Sequence, residues 1–166
     1  EWNAMNKNKF NKIFGFIYLL FAFYTFYHLS LELFLLMFVI LICISTDIGG
    51  YIFGKIFKGP KITKISPKKT YAGSIGGYLL SLVCLSLISN YVDYLDTSFK
   101  FILLTVFLST VSQVGDIIIS YFKRKVGVKN TGSLIPGHGG LLDRIDGMIF
   151  AVPTLYFINI TGLINI

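Results

Sequence analysis

The sequence predicts an all-α fold: a polytopic transmembrane helical bundle of about five spans, with its polar site at the cytoplasmic edge. Three observations predict it. Of the 166 residues, 54% are apolar and only 14% are charged, against roughly 25% charged in a soluble domain. The mean hydropathy is +0.72. The apolar residues also come in long runs, and the basic residues fall on alternate loops between them.

A run of about 20 apolar residues crosses a bilayer as a helix. Such runs cover 13–28, 31–53, 71–89, 100–122 and 147–164, the first and last being short. No internal repeat is visible, so the expectation is a single domain over 1–166. This span count puts three basic segments on one side. They carry Lys7, Lys9 and Lys12; then Lys55, Lys58, Lys61, Lys64, Lys68 and Lys69; then Lys123, Arg124, Lys125, Lys129 and Arg144. Fourteen of the fifteen Lys and Arg residues lie there, with Lys100 opposite. The positive-inside rule makes that side cytoplasmic. The net charge of +7 then reads as a topology signal and an attraction to anionic lipid, and nucleic acid is not expected as a partner. Cys43 and Cys84 fall inside apolar runs and read as small buried hydrophobes. The first run lacks a small-residue cleavage site, so no cleavable signal peptide is expected.

The acids carry more information. Asp47 and Asp116 lie inside apolar spans, where a charge is costly unless it faces a cavity or a partner. Each is near the cytoplasmic end of its span, and Asp143 and Asp146 stand just before the last span. Three apart, the latter two share a face on a first helical turn. Carboxylates from three segments at one depth, ringed by lysines, suit a site for Mg²⁺ and a polyphosphate.

From Ser120 to Asp146 the sequence reads SYFKRKVGVKNTGSLIPGHGGLLDRID. Arg124 and Arg144 are the chain's two arginines, and both fall here. Arginine offers a planar fork for bidentate contact with phosphate or carboxylate. Gly137, Gly139 and Gly140 around His138 allow backbone to approach a ligand closely.

The set Ser120, Lys123, Arg124, Lys129, Pro136, His138, Gly139, Gly140, Asp143, Arg144 and Asp146 resembles the signature of the phosphatidate cytidylyltransferase family. Three further segments resemble that family: Asp47-Ile-Gly-Gly-Tyr51 with Gly54, Ser66-Pro-Lys-Lys-Thr70 with Gly73, Gly76 and Gly77, and Gln113-Val-Gly-Asp116. The likeness runs from about Thr46 to Gly147. It departs at Asn130, where the family carries Asp, and at Ile48 and Gly49. The family also carries more N-terminal spans, so a fragment or a reduced protein is expected.

The resemblance implies transfer of CMP from CTP to phosphatidate, giving CDP-diacylglycerol and pyrophosphate for phospholipid biosynthesis. It implies Mg²⁺ as cofactor, with a second cation as a further expectation. Asp116 and Asp143 are the foremost metal ligands, then Asp146 and Asp47. Asp116, Asp143, Lys123 and Arg124 form the expected catalytic set. Ser66, Lys68, Lys69, Thr70, Lys129, His138 and Arg144 are expected to bind substrate, Ser66 and Thr70 either at a phosphate or as caps of the third helix. The implied setting is a bacterial inner membrane with the site facing the cytoplasm. Gly50-x-x-x-Gly54 and Gly73-x-x-x-Gly77 permit close helix packing, and hence a homodimer. The alternatives are a CTP-dependent lipid kinase, a related CDP-lipid synthase, a catalytically weakened relative, or a lipid-binding scaffold.

Overall fold

The chain was analysed as a computed structural model that describes residues 1–2, 9–63, 65–66, 69–90, 99–128, 130–132 and 140–163. The described residues form helices, with a single isolated antiparallel bridge between Lys61 and Thr70. The helices are α1 (Lys9–Leu31), α2 (Leu33–Phe57), α3 (Tyr71–Ser89), α4 (Phe99–Lys125), the one-turn α5 (Leu142–Ile145) and α6 (Met148–Ile160).

Helices α1 to α4 are each long and apolar enough to cross a membrane. The last apolar helix, α6, has 13 residues, or about 20 Å at 1.5 Å per residue, against a hydrocarbon core of about 30 Å. Asp146 and Gly147 keep helical backbone angles, so α5 leads into α6 almost without a break. The expected fifth span therefore exists as a short helix with a one-turn extension on its polar side. Phe16, Phe23 and their many exposed apolar neighbours on α1 suit a lipid-facing surface.

The core lies between α2, α4 and α6, where Phe38, Val39, Ile42, Leu108, Ala151 and Val152 are buried. Two buried hydroxyls join α2 to α4 inside it: Thr46 Oγ1 donates to Ser109 Oγ at 2.9 Å. Two close crossings depend on glycine. On α2 and α3, a β-carbon on Gly49 would overlap the Gly76 carbonyl oxygen, and one on Gly73 would sit 2.8 Å from the Gly50 carbonyl oxygen. The small-residue pairs expected to allow packing between copies are thus used within one chain. On α4 and α6, a β-carbon on Gly147 would overlap Ser112 Oγ.

These crossings set the depth of the site, so they are testable. Gly49→Ala should force α2 and α3 apart and cost about 1–3 kcal/mol by overpacking. Thermal unfolding in detergent should show it as a lowered midpoint, whereas Gly59→Ala, where a β-carbon meets nothing but φ is +86°, tests backbone strain alone.

Candidate active site

At one end of the bundle, α2, α4 and α5 surround a cavity of about 370 Å³. Asp47, Asp116, Asp143 and Asp146 all line it, with Ser66, Lys69, Thr70 and Gln113. The expected convergence of these carboxylates is what the helices produce. Asp47 comes from α2 and Asp116 from α4, while Asp143 and Asp146 lie on and just after α5. Bare Gly115 makes room for Phe150 of α6, and a β-carbon there would also lie 3.2 Å from the Asp146 carbonyl oxygen. That contact draws Asp116 and Asp146 together.

The loop between α2 and α3 supplies the lysine. Ile62 N–H donates to Lys69 O, and Tyr71 N–H donates to Pro60 O, pinning the two strands of the loop. Thr70 caps α3 by accepting from Gly73 N–H at 3.1 Å, one of the two roles expected of it. Ser66 lies on the cavity wall, and its carbonyl accepts from Lys69 N–H. Lys69 Nζ then lies 2.5 Å from Asp116 Oδ2 and donates to the Gln113 carbonyl at 3.1 Å. Ser120 Oγ donates to the other Asp116 oxygen at 3.3 Å.

The signature stretch builds the facing wall. Helix α4 ends in a Schellman turn: Val128 N–H donates to Lys123 O and Gly127 N–H to Arg124 O, with Gly127 at φ +79°. Lys123, only 8% exposed, points its ammonium to Asp143 Oδ1 at 2.8 Å. Asp143 Oδ2 accepts from Thr131 N–H at 2.8 Å and from Gly140 N–H at 3.0 Å. Burial alone would raise the Asp143 carboxyl, but these three donors outweigh it and hold it below the ordinary range. Asp143 therefore has both oxygens engaged by protein.

Asp116 and Asp146 differ from it. Burial, followed by the charge of Asp116, pushes the Asp146 carboxyl above the ordinary range. Among the described residues the site has two ion pairs, Lys69–Asp116 and Lys123–Asp143, so Asp47 and Asp146 have no paired ammonium. No three His, Cys, Asp or Glu side chains among the described residues form a closed metal cage. Mg²⁺ commonly binds through one or two carboxylates plus substrate phosphates, and that is the requirement the carboxylates here have to meet. The carboxylates of the cavity that lack a paired ammonium are thus Asp47 and Asp146.

Arg124 and Arg144 are exposed, and Arg124 donates to the Val128 carbonyl at 3.2 Å. Asn130 is exposed as well. Lys68, Lys129 and His138 lie outside the described residues. Two residues that the sequence did not single out also belong here. Thr131, 4% exposed, is held through its N–H and its hydroxyl. Glu1 accepts from that hydroxyl although it stands at the far end of the chain, and no local pattern could have disclosed it.

Comparison with known proteins shows the family. The family model described as "Cytidylyltransferase family" matches residues 5–161. A phosphatidate cytidylyltransferase of Staphylococcus saprophyticus is 40% identical over 121 residues, covering 72% of this chain and 46% of its own. One of Rickettsia prowazekii is 44% identical over 123 residues, covering 70% and 54%. The chain spans about half the length of the curated relatives it matches. With that match over nearly its whole length and its apolar helices, the chain is an integral membrane protein that belongs to the cytidylyltransferase family.

Proposed function

We propose that the chain carries the site at which CMP passes from CTP to phosphatidate, giving CDP-diacylglycerol and pyrophosphate. The observation that carries this reading is the cavity itself: four carboxylates and Lys69 on one wall system at the polar end of a membrane bundle. A nucleoside triphosphate needs its charge neutralised before a second anion can attack it. A lipid phosphate needs a site that its tails can reach without leaving the bilayer.

In the reaction, a phosphate oxygen of phosphatidate attacks the α-phosphorus of CTP. The bond to the oxygen bridging the α- and β-phosphorus atoms breaks, and pyrophosphate leaves with that electron pair. The nucleophile is already anionic, because the second pKa of a phosphomonoester is about 6. No strong base is then required of the protein. Bound Mg²⁺ would supply charge neutralisation at the phosphates and would be held by Asp116 and Asp146, with Asp47 beside them. Lys69, on the cavity wall, and Lys123, paired with the wall residue Asp143, would offer ammonium groups to the phosphate oxygens. The end of the bundle that bears Lys69, Lys123, Arg124 and Lys125 faces the cytoplasm in this reading, following the positive-inside rule.

Labelled CTP separates this from phosphate transfer to lipid. With phosphatidate and Mg²⁺ present, label at the α-phosphorus should enter the lipid fraction and label at the γ-phosphorus should not. Lipid labelled from the γ-phosphorus would replace this reading with that of a kinase.

A further inference from the structure

We propose that Glu1 and Trp2 form a latch on the site, in which Glu1 is a positioning residue acting through Asp143 and Asp146. Its turnover arm rests on the reading of cytidylyl transfer, and its structural arm does not.

One carboxylate serves three donors. Glu1 Oε1 accepts from Leu141 N–H at 2.9 Å, and Oε2 accepts from Leu142 N–H at 2.8 Å and from the Thr131 hydroxyl at 3.1 Å. These donors come from both arms of the signature stretch. Leu142 opens α5, the turn that presents Asp143 and leads to Asp146. Asp143 grips the same two arms through Thr131 N–H and Gly140 N–H. The two carboxylates thus hold Thr131 at its hydroxyl and its amide respectively.

The receiving surface is fitted to Glu1. A β-carbon on Gly132 would lie 3.0 Å from Glu1 Cγ, and one on Gly140 would lie 2.8 Å from Glu1 Cδ. Trp2 fixes the approach. Its indole N–H donates to the Asn11 carbonyl at 3.2 Å, and its ring meets Phe122 edge-on at 5.1 Å. A β-carbon on Gly15 would overlap the indole, so α1 is notched for it. Phe122 precedes Lys123, so the latch touches the end of α4 and the start of α5 together. Charge-assisted bonds to backbone N–H groups are among the stronger ones, and their loss frees the amides they cover.

Amide hydrogen exchange on the full chain in lipid nanodiscs tests this directly. In Glu1→Ala the Leu141 and Leu142 amides should exchange about tenfold faster or more, while amides within α2 and α4 stay unchanged. Glu1→Gln keeps an acceptor oxygen and should show a smaller rise at the same two amides. Trp2→Ala should free them too. In turnover, kcat of Glu1→Ala should fall about tenfold, with KM for CTP and the Mg²⁺ concentration for half-maximal rate held within about threefold. Unchanged exchange at Leu141 and Leu142 would overturn the latch. So would an equal rise throughout α2 and α4, which would mean general loosening. Faster exchange with wild-type kcat would overturn the positioning role. A wild-type chain that forms no CDP-lipid, while Glu1→Ala still frees those amides, would leave the latch standing and overturn the reading of function.

Discussion

Asp116→Asn should lower CMP transfer by on the order of 10²- to 10³-fold while leaving the helices assembled. Asp116 is the junction of the site: one oxygen meets Lys69, the other receives Ser120, and its charge bears on Asp146. An amide keeps the size and one acceptor but brings no charge to a cation. It also leaves Lys69 without its anion, so the ammonium that faces the phosphates loses its aim. The rate of CDP-diacylglycerol formation at saturating CTP, compared over a Mg²⁺ titration, measures both effects. Activity within a few-fold of wild type would remove Asp116 from the cation site.

Lys123→Met should be the next most damaging, and it should cost stability as well as rate. Lys123 is 8% exposed and is the ammonium that pairs with Asp143. Removing one member of a well-buried ion pair strands the other, at about 3–5 kcal/mol. Here Thr131 N–H and Gly140 N–H still serve Asp143, so the lower end of that range is expected. A thermal midpoint in detergent should fall, and transfer should fall by about 10² or more. The double variant Lys123→Met with Asp143→Leu removes both charges. It should recover much of the stability and none of the activity, because the packing debt and the chemical role are separable.

Much of this arrangement was legible in the sequence because membranes constrain it so strongly. Asp47 and Asp116 could be placed at one depth from the apolar runs alone, since an acid inside a span must face a cavity or a partner. Capping was one of the two roles that the place of Thr70 before an apolar run allowed. Other features were not legible. Periodicity could not tell that Gly49, Gly50 and Gly73 meet within one chain, because small residues look alike whichever helix they face. Nor could spacing distinguish Asp143 from Asp146. Both line the cavity, yet one is saturated by Lys123 and two backbone N–H groups while the other leans on a second carboxylate. Glu1 was out of reach altogether, since its partners Leu141 and Leu142 stand at the other end of the chain.

The most direct test of the central claim is pyrophosphate release from CTP by the purified chain in vesicles, with phosphatidate and Mg²⁺ each added or withheld, alongside Asp116→Asn. The account predicts release that needs both additions, matches CDP-diacylglycerol formed mole for mole, and vanishes in the variant. Release that persists without phosphatidate, or at an equal rate in Asp116→Asn, would contradict it.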